Sequence, residues 1–357
     1  MVKKIARTAV IAAVYTGTVI GAGFASGQEI WHFFSQYGPA GTWGLFLSTL
    51  FLAFLGPKAM EWGKRIGASS YHDFLYNLAG KWLGRVGDLV LTVFLLFLLG
   101  IMLAGSGAVV VQLGGKWEWG CWGTAGLAVL VLSRRLEGIR GVNLVVIPLL
   151  FGAGIILNLD VNRAFLSLPL PEVPAGHVTG AWLAAAFQYS AYNLVLALPV
   201  LVTLYRLDDN SAALRWGGIL GGFSLGILAF LFHRIMMNAG SGAGELPLFF
   251  LTREWSGWWR FGYALVLWGE LFSTLTAHGY GLATRIGPAE SPWFPLRVAC
   301  LLLFAMAIGR IGFGRLITNI YPLFGGISFF LLLPLCLRPL PQKQRKSSGK
   351  TNFFQVG

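Results

Sequence analysis

Apolar residues run in long blocks along nearly the whole chain, broken by short polar connections. A bilayer core about 30 Å thick needs about 20 apolar residues per crossing helix. On that ruler ten spans are expected, at roughly 5–35, 40–63, 85–113, 119–133, 141–160, 178–205, 214–237, 257–284, 293–310 and 314–338. Residues 67–84 predict a connection with room for a short helix, and residues 161–177 a loop rich in proline. Residues 238–255 are too long and mixed for a tight turn and suit an interfacial helix. Trp117, Trp119, Trp255, Trp258 and Trp259 stand at span edges on one side, where interfacial aromatics belong. The polar, basic stretch 339–357 reads as a disordered tail.

Two spans carry polar residues where apolar ones are expected. In the first, GAGFASG is followed by Gln28 and Glu29, with Thr16 and Thr18 just before it. Glycine disfavours continued helix, and polar groups at bilayer depth are costly unless something satisfies them. Unwound backbone is tolerated there only when it is buried in protein or lines a cavity. The pattern therefore predicts a broken helix, with a glycine-packed helix crossing as the plainer alternative. In the sixth span, FQYSAYN (187–193) places Gln188, Tyr189, Ser190, Tyr192 and Asn193 together, with Pro199 beyond. Ten spans divide into two sets of five of opposite orientation. Interruptions in the first span of each set are the sequence pointer to an inverted-repeat transporter with a midplane site.

Composition and charge agree with this picture. Hydrophobic residues make up 56% of the 357 and charged residues only 11%, with mean hydropathy +0.68; a soluble domain carries about 25% charged residues. The net charge of +13 is a topology signal rather than a nucleic-acid footprint. Lys3, Lys4, Lys58, Lys64, Arg65, Lys81, Arg85, Arg134, Arg135, Arg140 and the basic tail all fall on one side of a ten-span layout, as do 20 of the 27 basic residues. The positive-inside rule makes that side cytoplasmic, which puts both termini in the cytoplasm of a cell-membrane protein. The first apolar stretch runs on for a full span with no small-residue cleavage pattern, so it reads as a span and not a leader. Cys121, Cys300 and Cys336 are scattered singly, which argues against a disulfide framework or a zinc site and for packing roles. H-E-x-x-H does not occur, and the one G-x-S-x-G match, GFSLG over 222–226, lies inside an apolar span without the strand–turn–helix setting of a serine nucleophile, so an enzyme is not expected.

The candidate chemistry sits at the break and in the eighth span. A helix ending near Ile20 leaves carbonyl oxygens unpaired, which suits a small cation. A helix restarting near Gly27 offers free amides, which suit an anion such as a carboxylate. In the eighth span Glu270, Thr274 and His278 recur at i, i+4 and i+8 and share a face, with Ser273 and Thr276 beside it. A carboxylate and two hydroxyls make hard oxygen ligands, while Glu270 or Glu29 is equally suited to carry a proton. Glu29 also stands where a helix N-terminus favours negative charge, so a capping role is open to it. Tyr189 and Asn193 share a face at i, i+4 and suit either a solute or interhelical hydrogen bonds. Gly218, Gly222 and Gly226 form a small-xxx-small packing ridge. His32, His72, His177 and His233 show no metal-ligand spacing.

Three motifs together carry a family likeness: VIGAGFASGQEIWHFF in the first span, FQYSAYNLVLALPVL in the sixth and LITNIYPLFGG (316–326) in the last. The chain resembles the YkvI-like membrane proteins over nearly its whole length, and that family looks like a branch of the amino acid–polyamine–organocation superfamily with a LeuT-type fold. The resemblance implies an all-α integral membrane protein with a single transporter domain over 1–338. Its five-plus-five inverted repeat would cover about 5–160 and 178–338, with spans one and six broken around a central site. It further implies a sodium site made by the carbonyls of Gly17 and Ile20 with the hydroxyls of Ser273 and Thr274, and amides of Ala22 and Gly23 facing a solute carboxylate. Ser26, Gly27, Tyr189, Ser190 and Asn193 complete the expected solute site. Thr18 and Phe24 stand where some amino-acid carriers of that fold place other polar groups.

The expected function is cation-coupled transport of a small polar solute, an amino acid or related compound, by alternating access. Sodium is the first choice of coupling ion, because two adjacent hydroxyls are placed to face the proposed carbonyls, and a proton carried by Glu270 or Glu29 is the second; no bound cofactor is called for. A non-transporting ligand receptor on the same fold is the alternative. The expected partners are the solute and the lipid bilayer, not nucleic acid.

Overall fold

The computed structural model describes residues 2–68, 70–133, 180–206, 209–239, 244–288 and 290–342, and parts of 148–159. The fifth span, the loop over 161–177 and the tail from 343 lie largely or wholly outside these residues. Three helices in line, α1 (Val2–Val19), α2 (Ala22–Ser26) and α3 (Gln28–Phe33), make the first span. They are followed by α4 (Pro39–Ile66), α5 (Tyr71–Gln112), α6 (Trp117–Ser133), α7 (Ala181–Leu201) and α8 (Ser211–Ala239). The chain ends with α9 (Pro247–Leu251), α10 (Gly257–Ile286), α11 (Phe294–Gly309) and α12 (Phe313–Leu337). No strand occurs among the described residues. Five of these helices are long and apolar enough to cross a membrane: α4, α5, α7 with its 3₁₀ extension to Arg206, α8 and α12. The protein is a multi-pass, all-helical membrane protein.

Local chemistry sets the helix ends. Pro39 occupies the first turn of α4, and Gly67 (φ 66°) closes it, with the Ala68 N–H bonded to the Gly63 carbonyl at 2.9 Å. Ser70 and Asp73 form a reciprocal capping box at the start of α5. The expected short helix before the third span is present, and non-helical Gly80 (φ 85°) bends it away from the rest of α5. The 238–255 connection holds α9 and a 3₁₀ turn over Thr252–Glu254.

The glycine ridge of α8 docks directly on α4. A Cβ on Gly218 would meet Pro57, one on Gly222 the backbone of Ala53, and one on Gly226 the side chain of Thr49. Small residues let the two backbones approach this closely, which is what drives packing where lipid offers no hydrophobic contrast. Tyr15 fills the notch between α4 and α8, donating its hydroxyl to the Leu52 carbonyl at 3.0 Å. Thr16 bonds the Gly221 carbonyl at 3.3 Å, so α1 is held against α8 just before its break.

The sixth span departs from expectation. FQYSAYN does not unwind: α7 is one helix from Ala181 to Leu201. Its polar side chains are satisfied without a break. Ser190 donates to the Ala186 carbonyl at 2.8 Å and Asn193 to the Tyr189 carbonyl at 3.0 Å, both one turn back on the same helix. Pro199 lies near the C-terminal end of α7 and, having no N–H, leaves the Val195 carbonyl without its ladder donor while the helix runs on to Leu201.

Candidate functional site

The first span breaks at Ile20–Gly21. The α1 ladder ends with the Ile20 N–H on the Thr16 carbonyl (3.0 Å), and that of α2 opens with the Ala25 N–H on the Gly21 carbonyl (2.9 Å). Gly21 is extended between them (φ −131°, ψ −178°). The carbonyls of Gly17 to Ile20 therefore belong to a helix end, with no next turn to receive them. A second disruption follows at Gly27, whose φ of 81° is a left-handed conformation that suits glycine. A Cβ there would also lie 2.7 Å from Leu248 of α9, so the tight fit adds to the requirement.

α3 begins one residue later, which puts Glu29 on its first turn and folds the side chain back over α2. The Glu29 carboxylate lies where a Cβ on Gly23 would be. It accepts a hydrogen bond from the Phe24 backbone N–H and a 2.5 Å bond from the Tyr192 hydroxyl of α7. The amide end that was expected to face a solute carboxylate faces the protein's own carboxylate instead. Proximity in the chain decides this: Glu29 is tethered six residues from Gly23, and a side chain on a first helical turn leans back toward the residues that precede it.

α10 supplies the opposite wall. Tyr263 donates to the Ala25 carbonyl at 3.1 Å and so pins α2. Three turns on, the Thr274 hydroxyl stands 4.0 Å from where a Cβ on Gly21 would be, directly against the break. Ser273 and Glu270 are buried beside it, and Glu270 Oε2 has no hydrogen-bond partner among the described residues.

These groups surround one cavity of about 520 Å³, lined by Gly17–Gly21, Glu29, Tyr192, Asn193, Glu270, Ser273, Thr274, His278 and Tyr321. It continues past Pro199, Thr284, Arg285, Tyr71 and His72, at the face where α5 starts and α7 and α10 end. On the opposite side aromatic rings close it. Tyr189 packs on Phe34 (4.8 Å between centroids) and Phe33 (5.5 Å), and Tyr192 on Phe33 (5.5 Å) and Tyr321 (5.0 Å).

The mouth has its own polar cluster. Asp88 Oδ1 accepts from Tyr71 (2.6 Å) and Arg285 (2.8 Å) and lies 3.3 Å from His72 Nε2. Arg285 also bonds Thr92, and its guanidinium sits 5.0 Å from the centre of the Tyr71 ring. This ties the start of α5 to the end of α10.

Of the residues expected to bind the solute or the coupling ion, Gly17, Ile20, Glu29, Asn193, Glu270, Ser273 and Thr274 line the same cavity. The others lie elsewhere. Ser26 is used within the break, donating to the Gly23 carbonyl at 2.9 Å and accepting from the Gln28 N–H at 3.2 Å. Gly27 faces α9, Tyr189 belongs to the aromatic seal, and Ser190 bonds its own helix. The backbone of Ala22 starts α2, beside Gly23 and the Glu29 carboxylate.

The Tyr192–Glu29 bond, Tyr321 and the Asp88 cluster escaped the sequence reading. Asp88 alone carried a signal, as an acidic residue inside an apolar run. His233 is satisfied at both ring nitrogens, by Ser35 and Thr42 at 2.9 Å each.

No known family profile matches the chain. It is 33% identical over 339 residues to the uncharacterized membrane protein YkvI of Bacillus subtilis (strain 168), covering 94% of this chain and 96% of that one. It is 24% identical to the uncharacterized protein YyaD of the same organism, over 92% and 95% of the two chains. Among solved structures it resembles the Eremococcus coleocola manganese transporter, with a TM-score of 0.61 and 12% identity over 93% of this chain and 78% of that one. At that identity the likeness speaks to fold alone: the two chains share one fold. By its likeness to YkvI over almost the full length of both, this chain belongs to the YkvI family of membrane proteins.

Proposed function

We propose that the protein is a cation-coupled secondary transporter that moves a small polar solute, an amino acid or related compound, by alternating access. One observation carries this reading: a cavity lined by the broken end of α1 and by the hydroxyl face of α10 opens at one face of the bundle and is shut by aromatic rings at the other. Solute and ion sites beside discontinuous helices are the recurring design of secondary transporters. With the basic loops cytoplasmic, the mouth bounded by Tyr71 and Arg285 faces inward and the Phe33–Phe34–Tyr189 seal faces outward. This arrangement is an inward-open state. The five-plus-five repeat and LeuT-type fold belong to the same reading. The unbroken α7 places the whole discontinuity in the first span.

Sodium is the first choice of coupling ion, because the Thr274 hydroxyl stands at the break that frees the carbonyls of Gly17 and Ile20. Hard oxygen ligands of this kind suit a small hydrated cation. The two carboxylates in the cavity, Glu29 and Glu270, turn the expected solute polarity around. They offer acceptors to a cationic group such as an ammonium, while Glu29 already occupies the amide end. Proton coupling is the second reading, favoured by the partnerless Glu270 Oε2, since a buried carboxyl without donors is held most cheaply in its neutral form.

Uptake into proteoliposomes under an imposed sodium or proton gradient separates the two. Sodium coupling predicts that Thr274→Ala lowers sodium-driven uptake about tenfold or more, the loss of one oxygen ligand costing about 1.4 kcal/mol or above. Uptake indifferent to sodium and to Thr274→Ala, but abolished by Glu270→Gln, would reverse the assignment.

A further inference from the structure

A second cavity, of about 470 Å³, lies outside the transport path, between α4 and α8 at the face that bears the basic loops. Lys58 and Arg65 of α4 and Arg215 of α8 line its polar end, and Phe54, Ile219 and Leu340 its apolar walls. We propose that this groove holds the headgroup of an anionic phospholipid, with its acyl chains lying along the outer surface of α4 and α8.

Charge makes the first part of the case. Three cations and one acid, Glu61, line the groove, and Glu61 is engaged by Arg65 at 3.2 Å. Lys58 reaches the Cys336 carbonyl (3.3 Å) and Arg65 the Pro341 carbonyl (3.1 Å), so backbone contacts hold both side chains in place, and with Glu61 offsetting Arg65 the groove keeps a net positive charge from Lys58 and Arg215. Arg215 is exposed and has no hydrogen bond or ion pair to any described residue. A guanidinium left unpaired next to two other positive charges is placed for a phosphate.

The apolar surface makes the second part. Phe54, Leu50 and Phe46 recur every four residues on α4 and are 67%, 40% and 55% exposed. On α8, Phe223 and Ile227 continue the line from Ile219 and are 42% and 62% exposed. Both helices are long and apolar enough to span a membrane, so these tracks face hydrocarbon and start at the cationic end of the groove. Basic pockets between spans on the cytoplasmic side are where lipid headgroups bind.

The chain's own tail is a poor competitor. Beyond Leu340 it carries Lys343, Arg345, Lys346 and Lys350 and no acidic residue, so it shares the sign of the groove and suits the same anionic surface.

The test uses the purified full-length protein in detergent, stripped of lipid. Its thermal unfolding is followed as phosphatidylglycerol, phosphatidylcholine or soluble glycerol phosphate is added. A molecule that binds the folded state raises its unfolding temperature. Phosphatidylglycerol is expected to raise it well beyond phosphatidylcholine, and native mass spectrometry to show it retained. Arg215→Gln should weaken the apparent affinity about fivefold and Lys58→Gln with Arg215→Gln about twenty-five-fold, at about one kcal/mol per cation. Because Arg215 has no partner among the described residues, its replacement leaves their contacts intact and the readout interpretable. An equal shift with phosphatidylcholine, or an undiminished one in the double variant, would overturn the proposal. Glycerol phosphate alone reproducing the shift would assign the groove to free phosphate and also overturn it.

Discussion

Glu29→Ala is expected to abolish solute uptake and to lower stability by about 1–3 kcal/mol, the cost of leaving a buried donor unsatisfied. The donors at stake are the Tyr192 hydroxyl, at 2.5 Å, and the Phe24 N–H in the first-span break. Alanine would also vacate the space beside Gly23 that the carboxylate fills, and loosen the link between α3, α2 and α7. Two companion variants separate function from structure. Tyr192→Phe removes one donor and keeps the carboxylate, so it should retain measurable uptake with a smaller loss of stability. Glu29→Gln keeps an oxygen for Tyr192 but not the charge. If Glu29→Gln transports at the wild-type rate, the carboxylate serves only to brace the break and has no part in binding a cation or a cationic solute. A double-mutant cycle over Glu29 and Tyr192, read by thermal unfolding, should show strong coupling, because the two groups share one hydrogen bond.

Gly222→Leu should have the largest effect on the fold itself. A Cβ at this position would lie 2.5 Å from both the backbone N and Cα of Ala53, so neither helix has a flexible side chain that could yield. The crossing of α4 and α8 would have to open, and with it the notch that holds Tyr15 and the start of the broken span. A loss of about 3 kcal/mol is expected from overpacking alone, seen as a lower unfolding temperature and loss of the monodisperse peak in size-exclusion chromatography. Gly126→Ala on α6 is the matched control. Its Cβ would meet nothing within 4 Å, and replacing a mid-helix glycine should gain about 0.5–1 kcal/mol. If the two variants behave alike, close approach of α4 and α8 does not hold the bundle together.

The same two cases mark how far the sequence could be read. The small-xxx-small spacing of Gly218, Gly222 and Gly226 announced a tight helix contact, because glycine at helical period has few other uses in a membrane span. It did not say which helix would be met, and only the fold identified Pro57, Ala53 and Thr49 of α4. The glycines of GAGFASG announced the break for a similar reason, since a backbone preference is local and written residue by residue. The stripe through Glu270 and Thr274 was likewise legible from helical period, and the fold set it against Gly21.

FQYSAYN misled. A polar cluster in an apolar span has two remedies, unwinding or hydrogen bonding one turn back, and the sequence does not choose between them. In the fold Ser190 and Asn193 took the second.

Hydropathy, charge asymmetry and glycine placement are properties of short segments facing lipid or water, so the sequence by itself determined the class of protein, the expected layout of its spans and the place where the first one breaks. Which polar groups meet depends on contacts between segments distant in the chain. Glu29 and Tyr192 are separated by 163 positions and Arg285 and Asp88 by 197. Only the tertiary structure decided that Glu29 would fill the amide end of the break, that Tyr189 would seal the cavity instead of lining it, and that the mouth would be tied by Asp88. The first of those outcomes turns on the left-handed backbone at Gly27 that sets Glu29 over Gly23, and the other two on the packing of one helix against another, which no single segment encodes.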